Sequence, residues 1–314
     1  MNPPPASTHV SESPWQAAFR RLRRNYLAMG GAIFIVLLTI VCWIVPQFSH
    51  YQQSQQDLNL QASAPSAAHW MGTDSLGRDI ATRVLYGGRM SLLVGLAATA
   101  VALVIGVIYG GISGWFGGRV DAFLMRVVDV LYAFPFIVFV ILLNVAVGDL
   151  VKKWLSTDSG LSMKTVNEWR SQVELLILFA AIGAVEWLTM ARVVRGQVLA
   201  LRKQEFITAA RSYGARTPMI LKRHLLPNVL GSVIIYASLT VPGVMLTEAI
   251  LSFLGLGIQP PAASWGTLIA DGAKEIESSP WMLIFPGAFF SLTLLALNFL
   301  GDGLRDALDP KSTD

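Results

Sequence analysis

Charge is what this sequence has least of: Asp, Glu, Lys and Arg make up 14% of its 314 residues, against about a quarter in soluble domains. The shortfall comes from long uncharged stretches rather than from even dilution. Cysteine is nearly absent too. Cys42 stands alone inside an apolar run, so an intramolecular disulfide is excluded and no metal-ligand spacing surrounds it. It reads as a packing residue facing lipid or a helix. The four histidines, His9, His50, His69 and His224, are scattered through polar segments and do not form a catalytic set. No G-x-x-x-x-G-K-[ST] phosphate loop, H-E-x-x-H, C-x-x-C or G-x-S-x-G occurs. The first absence argues against ATP hydrolysis by this chain alone. The net charge of +4 is not gathered on a polar domain, so nucleic acid is not an expected partner. No repeat relates the two halves, which gives no support to a secondary transporter built on inverted repeats.

Long apolar runs are what the sequence does have. A helix crosses a bilayer in about 20 mostly apolar residues, and six stretches qualify: Leu27 to Phe48, Leu92 to Phe116, Phe123 to Gly148, Leu175 to Val193, Val229 to Leu256 and Trp281 to Leu300. The first is too long for a signal peptide, and no small-x-small cleavage site follows it. The expectation is an all-α membrane protein. Residues 1–26 form a cytoplasmic segment, 27–301 the membrane domain and 302–314 a cytoplasmic tail. Outer segments lie at 49–89, 149–173 and 258–280. With both termini inside, sixteen of the 24 lysines and arginines fall on the cytoplasmic side, as the positive-inside bias requires. Trp43, Trp115 and Trp281 sit near span ends, where aromatic belts form.

The segment 202–228 then falls in the cytoplasm. Its pattern predicts a short helix, a break and a second helix. Phe206, Ala209, Ala210 and Tyr213 recur at spacings of three and four and share a face. Gly214 suits a left-handed helix end. Thr217 suits an N-cap, Pro218 the first helical turn, and Pro227 the entry to the fifth span. An exposed helix with an aromatic face reads either as an interfacial helix on lipid or as a docking element for a soluble partner.

The spacing Ala209-Ala210-x-x-x-Gly214, nine residues, x-x-Leu226-Pro227 resembles the EAA loop of ABC-importer permeases. Thr208 replaces the usual glutamate and His224 the usual isoleucine; Glu205 is then the candidate acidic contact. The R-H-x-L-P-N ending at Asn228, the segment His69 to Asp79, Gly87 to Leu92, Leu251 to Gly257 with Ser264-Trp265-Gly266, and the tail Asn298 to Lys311 are similar to the C-type permeases of dipeptide and oligopeptide importers, the tail most of all to the oligopeptide branch. Val151 to Val173 is longer than that family's short outer loop.

This resemblance implies the ABC-importer permease fold, with six transmembrane helices and a cytoplasmic coupling helix, in a bacterial inner membrane. It implies a homologous second permease, two cytoplasmic ABC ATPase subunits, a periplasmic peptide-binding protein, peptide substrate and surrounding lipid. ATP and Mg then sit on the ATPases, with no cofactor on this chain. Glu205, Ala209, Ala210, Tyr213, Gly214, Leu226 and Pro227 become the ATPase-coupling residues. Alternatives are the same machinery for nickel or another small solute, an ATP-independent transporter, and a membrane scaffold or sensor.

Acids in spans cost on the order of 3 kcal/mol if they face lipid. Asp129, Glu186 and Glu248 are therefore expected toward a translocation path or subunit interface. Glu248 lies deepest, and Arg126 is a local partner for Asp129. Gly255, Gly257, Pro260 and Pro261 end the fifth span and set the loop up to Trp265 near the same path. Asp74 or Ser75 is the expected cap of a separate interfacial helix carrying Ile80, Val84 and Leu85.

Overall fold

A computed structural model describes residues 14–135, isolated positions between 138 and 150, and residues 163–308. Among the described residues the chain forms nine helices: α1 Pro14–Arg24, α2 Tyr26–Phe48, α3 Ile80–Phe116, α4 Gly118–Ala133, α5 Met163–Leu201, α6 Glu205–Ser212, α7 Thr217–Phe253, α8 Trp265–Lys274 and α9 Trp281–Leu308. Five have the length and apolarity to cross a membrane: α2, α3, α5 from Leu176, α7 and α9. Of the third expected span, Phe123 to Gly148, the residues to Ala133 belong to α4, and the greater part of the rest lies outside the described residues. So does the expected insertion at Val151 to Val173 up to residue 162, beyond which the chain is already helical.

The helices are longer than their apolar cores. Ile80 to Phe116 is one helix of 37 residues, not an interfacial helix followed by a span. Its N-cap is Asp79, whose carboxylate accepts from the Thr82 N–H at 2.8 Å, rather than Asp74 or Ser75. The charges that made its first turns look interfacial have partners within the chain. Arg83 pairs with Asp74. Arg89 reaches α2, and the reason lies in α2's own sequence. Pro46 has no N–H, so the Cys42 carbonyl loses its helical donor. Nε of Arg89 donates to that carbonyl at 2.6 Å, and Nη2 donates to the Trp43 carbonyl at 2.8 Å. In hydrocarbon such backbone groups must be satisfied internally. Cys42 is fully buried against Gly88.

Pro227 does not interrupt α7 either. Loss of its N–H is absorbed by a π turn at Leu221–Leu225 just before it, and the helix runs on into the span. Arg216 is the N-cap of α7, with Thr217 and Pro218 in its first turn.

The centre of the bundle is the seam between α3 and α5. Gly106, Gly110 and Gly114 are spaced four apart on α3 and meet α5 without side chains between the backbones. A Cβ on Gly106 would lie 2.6 Å from that of Met190, and one on Gly114 would lie 2.8 Å from that of Val198. One on Gly110 would collide with the Ala191 carbonyl oxygen. Small residues at this spacing let membrane helices approach closely.

The chain reverses between two ends. At one end lie α1, the C-termini of α3, α5 and α9, the N-terminus of α4, and α6. There Gly303 of α9 packs on Ala28 and Leu22, so the first and last described helices meet on the same side as α6. At the other end lie residues 49–79 and α8.

Gly110→Val is expected to destabilise the protein by about 3 kcal/mol through overpacking. Gly111→Val, where nothing lies within 4 Å of a new Cβ, changes little. Thermal melting of both variants in the same detergent distinguishes the two.

Candidate functional site

The segment after α5 folds back as α6 and is anchored from below. Ile207 is fully buried and Ile220 of α7 is 1% exposed. Both join a cluster with Trp115, Val194, Val198 and Leu225, so the socket is made from the ends of α3 and α5. Two arginines fix the joint. Nη1 of Arg202 donates to the Trp115 carbonyl at 2.7 Å, and the Arg211 guanidinium lies 4.8 Å above the Trp115 ring, a cation–π distance.

With Ile207 turned inward, the opposite face of α6 is bare. Phe206 is 42% exposed and Tyr213 91%; Glu205 and Ala209 are also exposed, while Ala210 is half-buried against the cluster. Gly214 ends the helix at φ +79° with no atom within 4 Å of a hypothetical Cβ, the left-handed conformation its identity suggested. The start of α7 folds beside this face. The Phe206 and His224 rings are 6.4 Å apart, and Leu226 and Pro227 are exposed on the following turn. Chain folding thus gathers Glu205, Ala209, Tyr213, Gly214, Leu226 and Pro227 on one end of the bundle. The buried anchors Ile207 and Trp115, and the arginines Arg202 and Arg211 that fix the joint, were not identified from sequence. Ile207 was legible as the apolar residue that faces the other way on a short amphipathic helix.

The acids expected along a path separate into two places. Glu248 and Trp265 are both fully buried at the opposite end. Oε1 of Glu248 accepts from Ser252 Oγ at 2.8 Å and from Ser264 Oγ at 2.6 Å. Ser264 is the N-cap of α8, in a capping box with Thr267. Oε2 is buried without a partner, beside Gly266, where a Cβ would lie 2.8 Å from Ala249 Cα. Trp265 donates its indole N–H to the Val84 carbonyl at 2.9 Å and its backbone N–H to Ser91 Oγ at 3.0 Å. These contacts clamp α8 between α3 and α7.

Asp129 and Glu186 lie elsewhere, on α4 and α5. Asp129 pairs with Arg192 at 2.8 Å, not with Arg126. The Arg192 guanidinium covers the Tyr132 ring at 4.1 Å, and Tyr132 and Thr189 share a hydrogen bond. Glu186 is half-buried on α5, one turn from Thr189.

On the segment 49–79 Asp74 holds a knot. Oδ1 accepts from the Leu76 and Arg78 N–H groups, each at 2.9 Å, and Oδ2 accepts from Arg78 Nε at 2.7 Å and from Arg83. Burial alone would push its carboxyl up, but the charges of Arg83 and Arg78 and the Arg78 N–H outweigh it and hold it below the usual carboxylate range.

A model of the family described as binding-protein-dependent transport system inner membrane component matches residues 102–314. A model of the N-terminal TM domain of oligopeptide transport permease C matches residues 13–65. The chain is 45% identical over 301 residues to the oligopeptide transport system permease protein OppC of Haemophilus influenzae, covering 95% of this chain and 89% of that one. It is 46% identical over 301 residues to OppC of Escherichia coli K12, covering 95% and 92%. It is 44% identical over 297 residues to the dipeptide transport system permease protein DppC of Bacillus subtilis, covering 94% and 85%.

Two outcomes are expected at the end of the bundle that holds Glu248 and Asp74. Ser264→Ala removes a helix cap and an acceptor's partner together and costs about 1–2 kcal/mol. Glu248→Gln keeps an oxygen for both serines and costs less than Glu248→Leu; melting temperatures in detergent order the three. A carboxylate whose native pKa is depressed contributes stability above its unfolded pKa of about 4, lost as pH falls through the native value. Hydrogen exchange at the Leu76 and Arg78 amides, corrected for intrinsic rates, therefore stays protected at pH 5 and loosens below about pH 4. In Asp74→Asn the same amides are already loose at neutral pH.

Proposed function

We propose, since this chain belongs to the family of inner-membrane components of binding-protein-dependent transport systems, that it is a permease subunit of an ATP-driven importer carrying peptides, oligopeptides in the sense of its OppC relatives, into the cell. The single observation that carries the coupling role is the seated helix α6. Its inner face is locked to α3 and α5 through Ile207 and Trp115, while Phe206 and Tyr213 stand exposed on the other. A helix built this way transmits force from a soluble partner into the spans.

In this reading the chain pairs with a homologous permease, and the pathway runs between them. Each permease offers one such helix to a groove on a cytoplasmic ATPase, with Glu205, Ala209, Ala210, Tyr213, Gly214, Leu226 and Pro227 forming or shaping the contact. ATP and Mg belong to the ATPases. Their closure on ATP shifts α6, and through the Trp115 joint it shifts α3 and α5. The outer side then opens to a docked peptide-binding protein, and hydrolysis returns the path inward. Both termini are cytoplasmic, which agrees with α1 and the end of α9 meeting beside the α6 end and with the excess of Lys and Arg on that side. The similarity to the oligopeptide permease OppC and the dipeptide permease DppC supports the peptide cargo.

The test is co-purification of the tagged chain from its native membrane. Wild type is expected to bring two ATPase chains and a second permease. Phe206→Asp combined with Tyr213→Asp alters exposed positions only. It is expected to cut ATPase recovery on the order of tenfold, as loss of aromatic anchors does at an interface, while the second permease stays. Wild-type chain that recovers no ATPase in mild detergent overturns the coupling role.

A further inference from the structure

Among the described residues, three ion pairs bring an arginine of α3 or α5 to an acid elsewhere in the chain, and two of them are closed. Asp74 and Arg83 have side chains only 6% and 4% exposed. Asp121 is held by Arg195 through both carboxylate oxygens and also accepts from Ser113. The third is open: the Asp129 and Arg192 side chains are 58% and 45% exposed.

Its depth makes that exposure informative. Arg192 lies inside the membrane-spanning part of α5. Asp129 lies eight residues along α4 from Asp121, about 12 Å up the helix axis at 1.5 Å per residue. An exposed ion pair at that depth does not face hydrocarbon; it faces water or another subunit.

The arrangement around Arg192 suits one kind of ligand. Tyr132 lies under the guanidinium plane at 4.1 Å, and its hydroxyl is tied to Thr189 on the helix that bears Arg192. Asp129 engages Nη2, and among the described residues no other group bonds the guanidinium nitrogens. A planar cation held by a ring below and an acid at one corner keeps a fork of donors for a carboxylate. Peptides of any sequence share their main chain and their termini, and the C-terminal carboxylate is the group such a fork recognises.

Building on the importer reading, we infer that Asp129, Tyr132, Thr189 and Arg192 form a subsite on the pathway wall that takes the C-terminal carboxylate of the transported peptide on Arg192. Asp129 and Tyr132 are positioning residues that hold the guanidinium. Glu186, one turn away on α5, borders the same face.

The test uses the complete transporter in proteoliposomes, with its ATPases, second permease and saturating binding protein. Uptake of a pentapeptide with a free C-terminus is compared with uptake of its C-terminal amide. Arg192→Gln is expected to lower free-acid uptake about tenfold, the scale of losing a hydrogen bond between charged groups, and to leave amide uptake within about twofold. Stimulation of ATP hydrolysis by loaded binding protein persists. Arg192→Lys keeps the charge without the fork and falls between. Equal loss of both peptides, or no loss of either, overturns the inference alone. So does loss of the second permease on purification, which makes the pair a subunit contact. Wild-type complex that takes up neither peptide overturns the importer reading, and the subsite with it.

Discussion

The close approach of α3 to α5 is the constraint on which the rest of the structure depends. In a membrane the hydrophobic effect does not drive helices together, because lipid tails are as apolar as leucine; van der Waals fit does. Gly106, Gly110 and Gly114 supply that fit by removing every side chain from one stripe of α3. The seam ends where Trp115 and Val198 stand side by side, and these two residues wall the socket for Ile207 and Ile220. The orientation of α6 is therefore set by helix packing inside the membrane domain. Widening the seam by one side chain would move Trp115 away from Val198 and open the socket.

The same helix reaches the other end. At 1.5 Å per residue, the 37 residues of α3 span about 55 Å. Its first turns carry Arg83 into the Asp74 knot and offer the Val84 carbonyl and Ser91 hydroxyl to Trp265. One rod thus contacts the anchored helix α6 at its C-terminus and α8 near its N-terminus. A displacement of α6 that carries Trp115 with it is delivered along that rod without an intervening loop.

Spans and loop punctuation were legible in the sequence because their causes are local. Apolar runs of about 20 residues mark helices in lipid, and Gly214 and Pro218 act on their own backbone. Distant pairings were not legible. Arg83 and Arg89 fall outside the expected spans, in the segment 49–89, because their partners, Asp74 and the carbonyls of Cys42 and Trp43, are supplied by tertiary folding; Arg89 lies 46 and 47 residues from its two acceptors. Asp129 was given the neighbour Arg126, whereas its partner Arg192 lies 63 residues away. Pro227 was legible as the entry to the fifth span, and it stands in the first turn of regular α-helix from Leu226. The π turn before it was not legible, because the residues around it, Leu225 and Val229, pack into the cluster below. The glycine spacing on α3 was readable as a packing stripe, and only its partner needed the structure.

Glu248 shows where the molecule does not bend. A carboxylate enclosed in a span is expensive unless hydrogen bonds compensate it. Here the compensation comes from Ser252 on its own helix and from Ser264, the cap of α8. The carboxylate also lies at the N-terminal end of α8, the end that favours negative charge. Lifting α8 from α7 would strip Glu248 of one donor and α8 of its cap in a single movement. Trp265 adds a third attachment, to α3. Helices α3, α7 and α8 are therefore held as one body. Opening and closing of a path then has to occur where side chains of this chain meet water or a neighbour instead of one another. Within the described residues the α4–α5 face answers that description: its ion pair is the open one, and its charges find on the far side either solvent or a second subunit.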